Sequence, residues 1–179
     1  GVQASTCTAS GSYSTAMGDG TTASGDYSTS MGRSTAASAL YSTAMGRSTA
    51  ASALYSTAMG YGTDASGYFS TAMGSSTTAS ALYSTAMGDG TIASGSRSTA
   101  MGSYTTASDY ASLSIGRYNS VNSTVTAGGS ATSFDTDNAA LVIGNGTGSS
   151  TKSDAFVVYF NGNATLSGDL TINSDARLK

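Results

Sequence analysis

Seven methionines, Met17, Met31, Met45, Met59, Met73, Met87 and Met101, recur every fourteen residues, and Ile115 takes the eighth place. A row of thioethers has two chemical readings. It can bind a soft metal ion, or it can fill a narrow apolar interior with an unbranched, polarizable side chain. The rest of the composition favours the second. The chain has no His, no Glu and a single cysteine, Cys7, so no imidazole or cysteine in the repeat joins the row. Most hydrolase and metal-site chemistry goes with them. The methionines and Ile115 therefore read as a core ladder, with no metal and no cofactor expected.

A second array is aromatic. Tyr13, Tyr27, Tyr41, Tyr55, Phe69 and Tyr83 each stand four residues ahead of a methionine, until Arg97 takes the place, and Leu40, Leu54, Tyr68 and Leu82 precede four members of the series. A stack of rings, each with an apolar face and a polar tip, is a candidate binding surface for glycans or another fibre. The competing reading has the same rings covering a seam between coils or between subunits. Two rows of Thr add a third reading, ice binding by a regular hydroxyl and methyl face. Against it, the two rows fall on different strands, and one shares the methionine face.

These residues must be positioned by whatever repeats every fourteen residues. With the coil counted from Ala9, the first position is Ala, the second and sixth are Ser and the tenth is Gly in every one of eight copies. Thr holds the seventh from Thr15 to Thr99 and the thirteenth from Thr21 to Thr105. A fixed period of this kind signals a solenoid. Fourteen residues are too few for a helical hairpin and suit two short strands per coil. Alternation along a strand puts Thr15 and Met17 on one face and Ser14 and Ala16 on the other. Coils stacked ~4.8 Å apart would turn each position into a ladder, and eight would make a rod about 38 Å long. Asp19, Arg33, Arg47, Asp89 and Arg117 share the eleventh position and read as solvated turn residues.

Leu, Ile, Val and Phe are scarce and Ser, Thr and Gly abundant, a balance that by itself suggests disorder. The strict register opposes it, as does a net charge of only -3. The same charge leaves no basic patch for nucleic acid. No apolar run approaches the ~20 residues needed to cross a bilayer, and the first residues show no secretion signal. Coils so rich in Ala and Ser bury little area each, so a partner surface is expected, and homotrimer packing would provide it.

The Ser-Thr-Ala-Met-Gly beat, as in Ser42 to Gly46, resembles the Ser-Val-Ala-Ile-Gly beat of trimeric autotransporter adhesin heads, which share the fourteen-residue period. The likeness covers residues 9 to about 120, with Thr here for Val and Met for Ile. It implies an all-β fold: a left-handed parallel β-roll, three copies packed side by side, extracellular and non-catalytic, with outer faces that meet cell-surface or matrix glycans or proteins.

Register fades near residue 120. Ala139 to Ile143 reads as a buried strand closed by Gly144-Asn145-Gly146, and Ala155 to Phe160 as another. Asn161-Gly162 signals a hairpin with Asn163 to Ile172 as its return strand. The last residues, Ser174 to Lys179, resemble the opening of the endosialidase-type intramolecular chaperone domain of phage tail spikes and fibres. That resemblance implies self-cleavage at Asn173-Ser174, with Ser174 as nucleophile and Lys179 as base. A desolvated Lys can take a Ser proton, but the rest of such a domain is missing, so this chain is not expected to be an active enzyme.

The expected division is a rod over 1–120, a neck or linker over 121–138, a hairpin module over 139–173 and the start of an assembly domain over 174–179. The expected role is a structural and adhesive segment of a trimeric fibre at a cell or virion surface. A self-processing fibre precursor and an ice- or glycan-binding surface are the alternatives.

Overall fold

A computed structural model describes residues 6–168, and they form an all-β solenoid of fourteen-residue coils with an antiparallel strand module at its C-terminal end. Each coil contributes one long and one short strand. The long strands run from Thr15–Asp19 to Leu113–Arg117, and the short ones from Thr8–Ala9 to Thr106–Ala107. Neighbouring coils pair in parallel with like residue on like residue: Met17 on Met31, Gly18 on Gly32, Ala9 on Ala23. The predicted two-strand coil and its ladders are thus present.

The interior belongs to the small residues. Ala at the first position is completely buried from Ala23 onward, as are Ala44, Ala58, Ala72, Ala86 and Ala100 at the eighth. Thr at the thirteenth and, from Ser28 onward, Ser at the sixth join them. In five coils the Ser hydroxyl at the sixth position donates to the carbonyl at the third, as Ser56 does to Ala53 at 2.6 Å, tying the turn before the long strand. One interior variation shows its own logic. Ser30 stands where most coils have Ala, and its hydroxyl pairs with that of Thr35 at 2.7 Å.

Two corners close each coil, both in the left-handed region. The fifth position holds Tyr13 to Tyr83 at φ between 54° and 58°, and the twelfth holds Gly20, Gly62 and Gly90, Ser34, Ser48 and Ser76, or Tyr104 and Tyr118. Gly at the tenth is under a different constraint. Its φ is about +122° at Gly46, in a region essentially closed to other residues, and a Cβ there would collide with the carbonyl oxygen of Gly60 in the next coil. Backbone conformation and close approach therefore both require glycine at this position.

Past Arg117 the long-strand sheet continues. Ala139–Asn145 joins its edge in parallel and in register, with Leu141 on Leu113, Ile143 on Ile115 and Gly144 on Gly116. The offset is twenty-eight residues, two coil periods, so the intervening segment takes the place of one whole turn. Asp154–Tyr159 then pairs antiparallel with that strand and Ala164–Leu166 antiparallel with Asp154–Tyr159, forming the expected hairpin about Asn161 and Gly162. Ala139, Val142 and Val157 make its small apolar core, flanked by Val121 and Tyr159.

The two kinds of glycine separate by mutation. Gly46→Ala is expected to cost about 3 kcal/mol or more, because strain and a backbone collision act together. Gly62→Ala, at a corner where Ser is native in three coils and a Cβ meets nothing closer than 3.8 Å, should cost about 1 kcal/mol. Chemical denaturation of both variants at one protein concentration checks the contrast.

Candidate functional site

The outer face of the long-strand sheet carries the methionines. They do not fill the coil, contrary to the sequence expectation. Met17 is 57% exposed and Met59, Met73 and Met101 are each 37% exposed, while Met31, Met45, Met87 and Ile115 are half-buried. The parity was read correctly and its sense was not. With Thr15 and Met17 on one face and Ser14 and Ala16 on the other, the coil interior has room only for Ala, Ser and Thr. The larger side chains are turned outward. Thr of the seventh position lies beside the methionines, whereas Thr of the thirteenth is buried, so the two Thr rows cannot form one regular hydroxyl surface.

The aromatic row is a continuous stack along one corner. Ring centroids lie 5.0 Å apart for Tyr13 and Tyr27 and for Tyr27 and Tyr41, 4.9 Å for Tyr41 and Tyr55, 4.8 Å for Tyr55 and Phe69, and 4.9 Å for Phe69 and Tyr83. Neighbouring planes differ by 18° at most. Arg97 ends the row, its guanidinium 5.5 Å from the Tyr83 ring centre and 5.2 Å from that of Tyr110, while it donates to the Tyr110 hydroxyl at 2.8 Å. Every ring between Tyr27 and Phe69 is thus faced on both sides by another ring. Edges and hydroxyls point to solvent, and the free ring face of the N-terminal end belongs to Tyr13, 82% exposed.

This row holds itself up. A non-glycine residue in the left-handed region costs about 1–2 kcal/mol, and each aromatic pair returns about 0.5–1.5 kcal/mol beyond its burial. The two are of the same size. Backbone bonds fix the corner as well, such as the Tyr27 N–H to the Ser12 carbonyl at 2.8 Å. No propensity rule places Tyr at positive φ, so the sequence alone showed the row but not its strained backbone.

Sequence reasoning missed the polar closure after the eighth coil. Asn119 occupies the thirteenth position, where seven coils have Thr, and its side-chain amide mimics a peptide. It accepts from Thr106 N–H at 2.8 Å and donates to the Thr106 carbonyl at 2.8 Å, as a further strand would. Asn122, in the column of Ser at the second position, accepts from the N–H groups of Ser108 and Asp109. The buried carboxylate of Asp109 accepts from Thr126 N–H, Thr126 hydroxyl and Ala139 N–H, and that of Asp154 accepts from Ser120 and Val121 N–H. The signal was available: Asp109, Asn119 and Asn122 each break a column that is otherwise small and uncharged.

Charges elsewhere are exposed or half-buried. Asp19 and Arg33 form one ion pair at 3.7 Å between side chains more than 60% exposed, worth little in solvent. Arg47 lies over Tyr61 at 5.4 Å. Among the described residues no three Cys or Asp side chains gather where a metal ion could sit, and no helix is long and apolar enough to cross a membrane. The predicted Ser174 and Lys179 lie outside the described residues, as does the Asn173-Ser174 bond.

The sequence profile of the YadA head domain repeat (2 copies) matches four consecutive stretches, residues 9–35, 37–63, 65–91 and 93–119. Each match spans two coils, and together they cover the solenoid. No curated protein matches the chain.

The stack makes an unusual demand on substitution. Tyr55→Ala keeps the strained corner and loses two ring contacts, with an expected cost of about 1–3 kcal/mol. Tyr55→Gly loses the same contacts but relieves the backbone, so it should be the milder change by about 1 kcal/mol. Thermal or chemical unfolding of the pair reads the order, which is the reverse of that expected at a corner without strain.

Proposed function

This chain belongs to the family of YadA head domain repeats, and on that premise we propose that it is an adhesive head segment of a homotrimeric fibre, displayed outside the cell at a cell or virion surface. The coils wind as a left-handed roll. The rod is a binding and spacing element and not an enzyme. One observation carries the assembly: the Met and Thr face of the long strands is an apolar stripe, open along eight coils, on a chain whose own interior is filled by Ala, Ser and Thr. Three copies turned toward one axis bury that stripe, and the methionines and Ile115 become the core of the trimer.

The adhesive surface is what such packing leaves outside. The row from Tyr13 to Tyr83 offers ring edges and phenolic hydroxyls, and the eleventh position offers scattered Asp, Arg, Tyr and Ser. Glycans or proteins of a cell surface or matrix fit that chemistry, because hydroxyls beside apolar ring edges match mixed polar and apolar ligands. Residues 121–138 serve as the neck and 139–173 as the hairpin module that precedes an assembly domain. The six-residue likeness of Ser174 to Lys179 to a self-cleaving chaperone supports processing between Asn173 and Ser174 in a longer product.

Two measurements test this reading. Sedimentation equilibrium should give three times the chain mass, and the double variant Met59→Asp, Met73→Asp should give a folded monomer, because buried unpaired carboxylates are expelled from an apolar interface. A wild-type monomer at micromolar concentration would sink the trimer. In a longer product that extends past Lys179, mass spectrometry should find an end at Asn173, and Ser174→Ala should abolish it.

A further inference from the structure

The tyrosine row places phenols in contact with phenols, one per coil, at a solvent-facing corner. Tyr27, Tyr41 and Tyr55 are 50%, 44% and 45% exposed, and each stacks on a neighbour with centroids no more than 5.0 Å apart. Phe69 interrupts the phenols while continuing the stack, which leaves Tyr83 two ring spacings from Tyr55. A second pair stands at the other corner. Tyr104 and Tyr118 are stacked at 4.8 Å with planes only 3° apart. By contrast, Tyr61 and Tyr68 are more exposed than Tyr55, at 52% and 58%, yet neither stacks on a ring among the described residues.

We propose that the run Tyr13, Tyr27, Tyr41 and Tyr55 and the pair Tyr104 and Tyr118 are sites of oxidative carbon–carbon cross-linking that staple successive coils. The co-reactant is a peroxide activated by a haem peroxidase, or an equivalent one-electron oxidant. Each phenol gives up one electron and its hydroxyl proton, leaving a neutral radical with spin on the ortho carbons. Two neighbouring radicals form one ortho-to-ortho carbon–carbon bond. The hydrogen on each joined carbon then moves to the phenolic oxygen and restores the aromatic rings. The net loss is two electrons and two protons per bond, and one hydrogen peroxide takes them up to become two waters.

The geometry directs this chemistry. A radical on Tyr41 has Tyr27 on one side and Tyr55 on the other, held in register by the ladder, so coupling within the chain needs ring rotation and a small lean of the two side chains toward each other. Each ring has two ortho carbons, so an inner member of the run can bond to both neighbours. Every bond ties residues fourteen apart and closes one coil covalently, on the rod's own repeat.

The test treats the purified chain with horseradish peroxidase and hydrogen peroxide and maps cross-linked peptides by mass spectrometry, with dityrosine fluorescence as the yield. The expected links are Tyr13 to Tyr27, Tyr27 to Tyr41, Tyr41 to Tyr55 and Tyr104 to Tyr118, with Tyr83, Tyr61 and Tyr68 uncoupled. Tyr41→Phe keeps the stack and should remove both links made by Tyr41 while sparing the other two. Phe69→Tyr should add links from position 69 to Tyr55 and Tyr83. The proposal is overturned by an absence of dityrosine, by Tyr61 or Tyr68 coupling as often as the run, by the same pattern from urea-unfolded chain, or by chain-to-chain links that dominate and rise with protein concentration.

Discussion

In a parallel ladder of identical coils, the nearest neighbour of almost every residue is its own equivalent one turn on. That constraint governs the rest of the molecule. A column can hold only a side chain that tolerates a copy of itself at the spacing of β-strands. Ala and Thr columns satisfy this by size, the Gly column by having no Cβ where backbones touch, and the aromatic column by stacking. Five of the rod's charges, Asp19, Arg33, Arg47, Asp89 and Arg117, share the eleventh position, where solvent reaches them and even the like-charged pair Arg33 and Arg47 is tolerated.

The interior contributes little hydrophobic area per coil, so cohesion has to come from elsewhere. Backbone hydrogen bonds run unbroken along both sheets, and hydroxyls at the sixth position tie the turns. Buried Thr hydroxyls of the thirteenth column are mostly without a partner, and Thr35 gains one where Ser30 replaces Ala. The apolar surplus has gone to the outside of the long strands, where a further copy of the chain can use it.

Much of this was legible in the sequence, because periodicity reports contact directly when like stacks on like. The fourteen-residue coil, the ladders, the strand parity and the Asn-Gly hairpin all followed from spacing and turn chemistry. The sense of the parity did not follow. Met17 is larger and more apolar than Ala16, and hydrophobicity alone assigns it to the interior, but the width of a fourteen-residue coil decides otherwise. The left-handed backbone at Tyr13 to Tyr83 was also hidden, since aromatic residues rarely take it and nothing in the composition marks a corner. The roles of Asp109, Asn119 and Asn122 were visible only as irregularities, because their bonds join the last coils to a segment that follows no period.

The hydrogen bonds that close the solenoid reach only its last two coils: Ser96 and Thr106 of the seventh, and Ser108 and Asp109 of the eighth. The terminus is therefore indifferent to how many turns precede it. Length becomes a digital variable: a duplication or deletion of fourteen codons changes reach by one strand spacing and leaves every junction chemically the same. Such a rod evolves as a ruler does, by adding or removing identical divisions, with no refitting of its end piece.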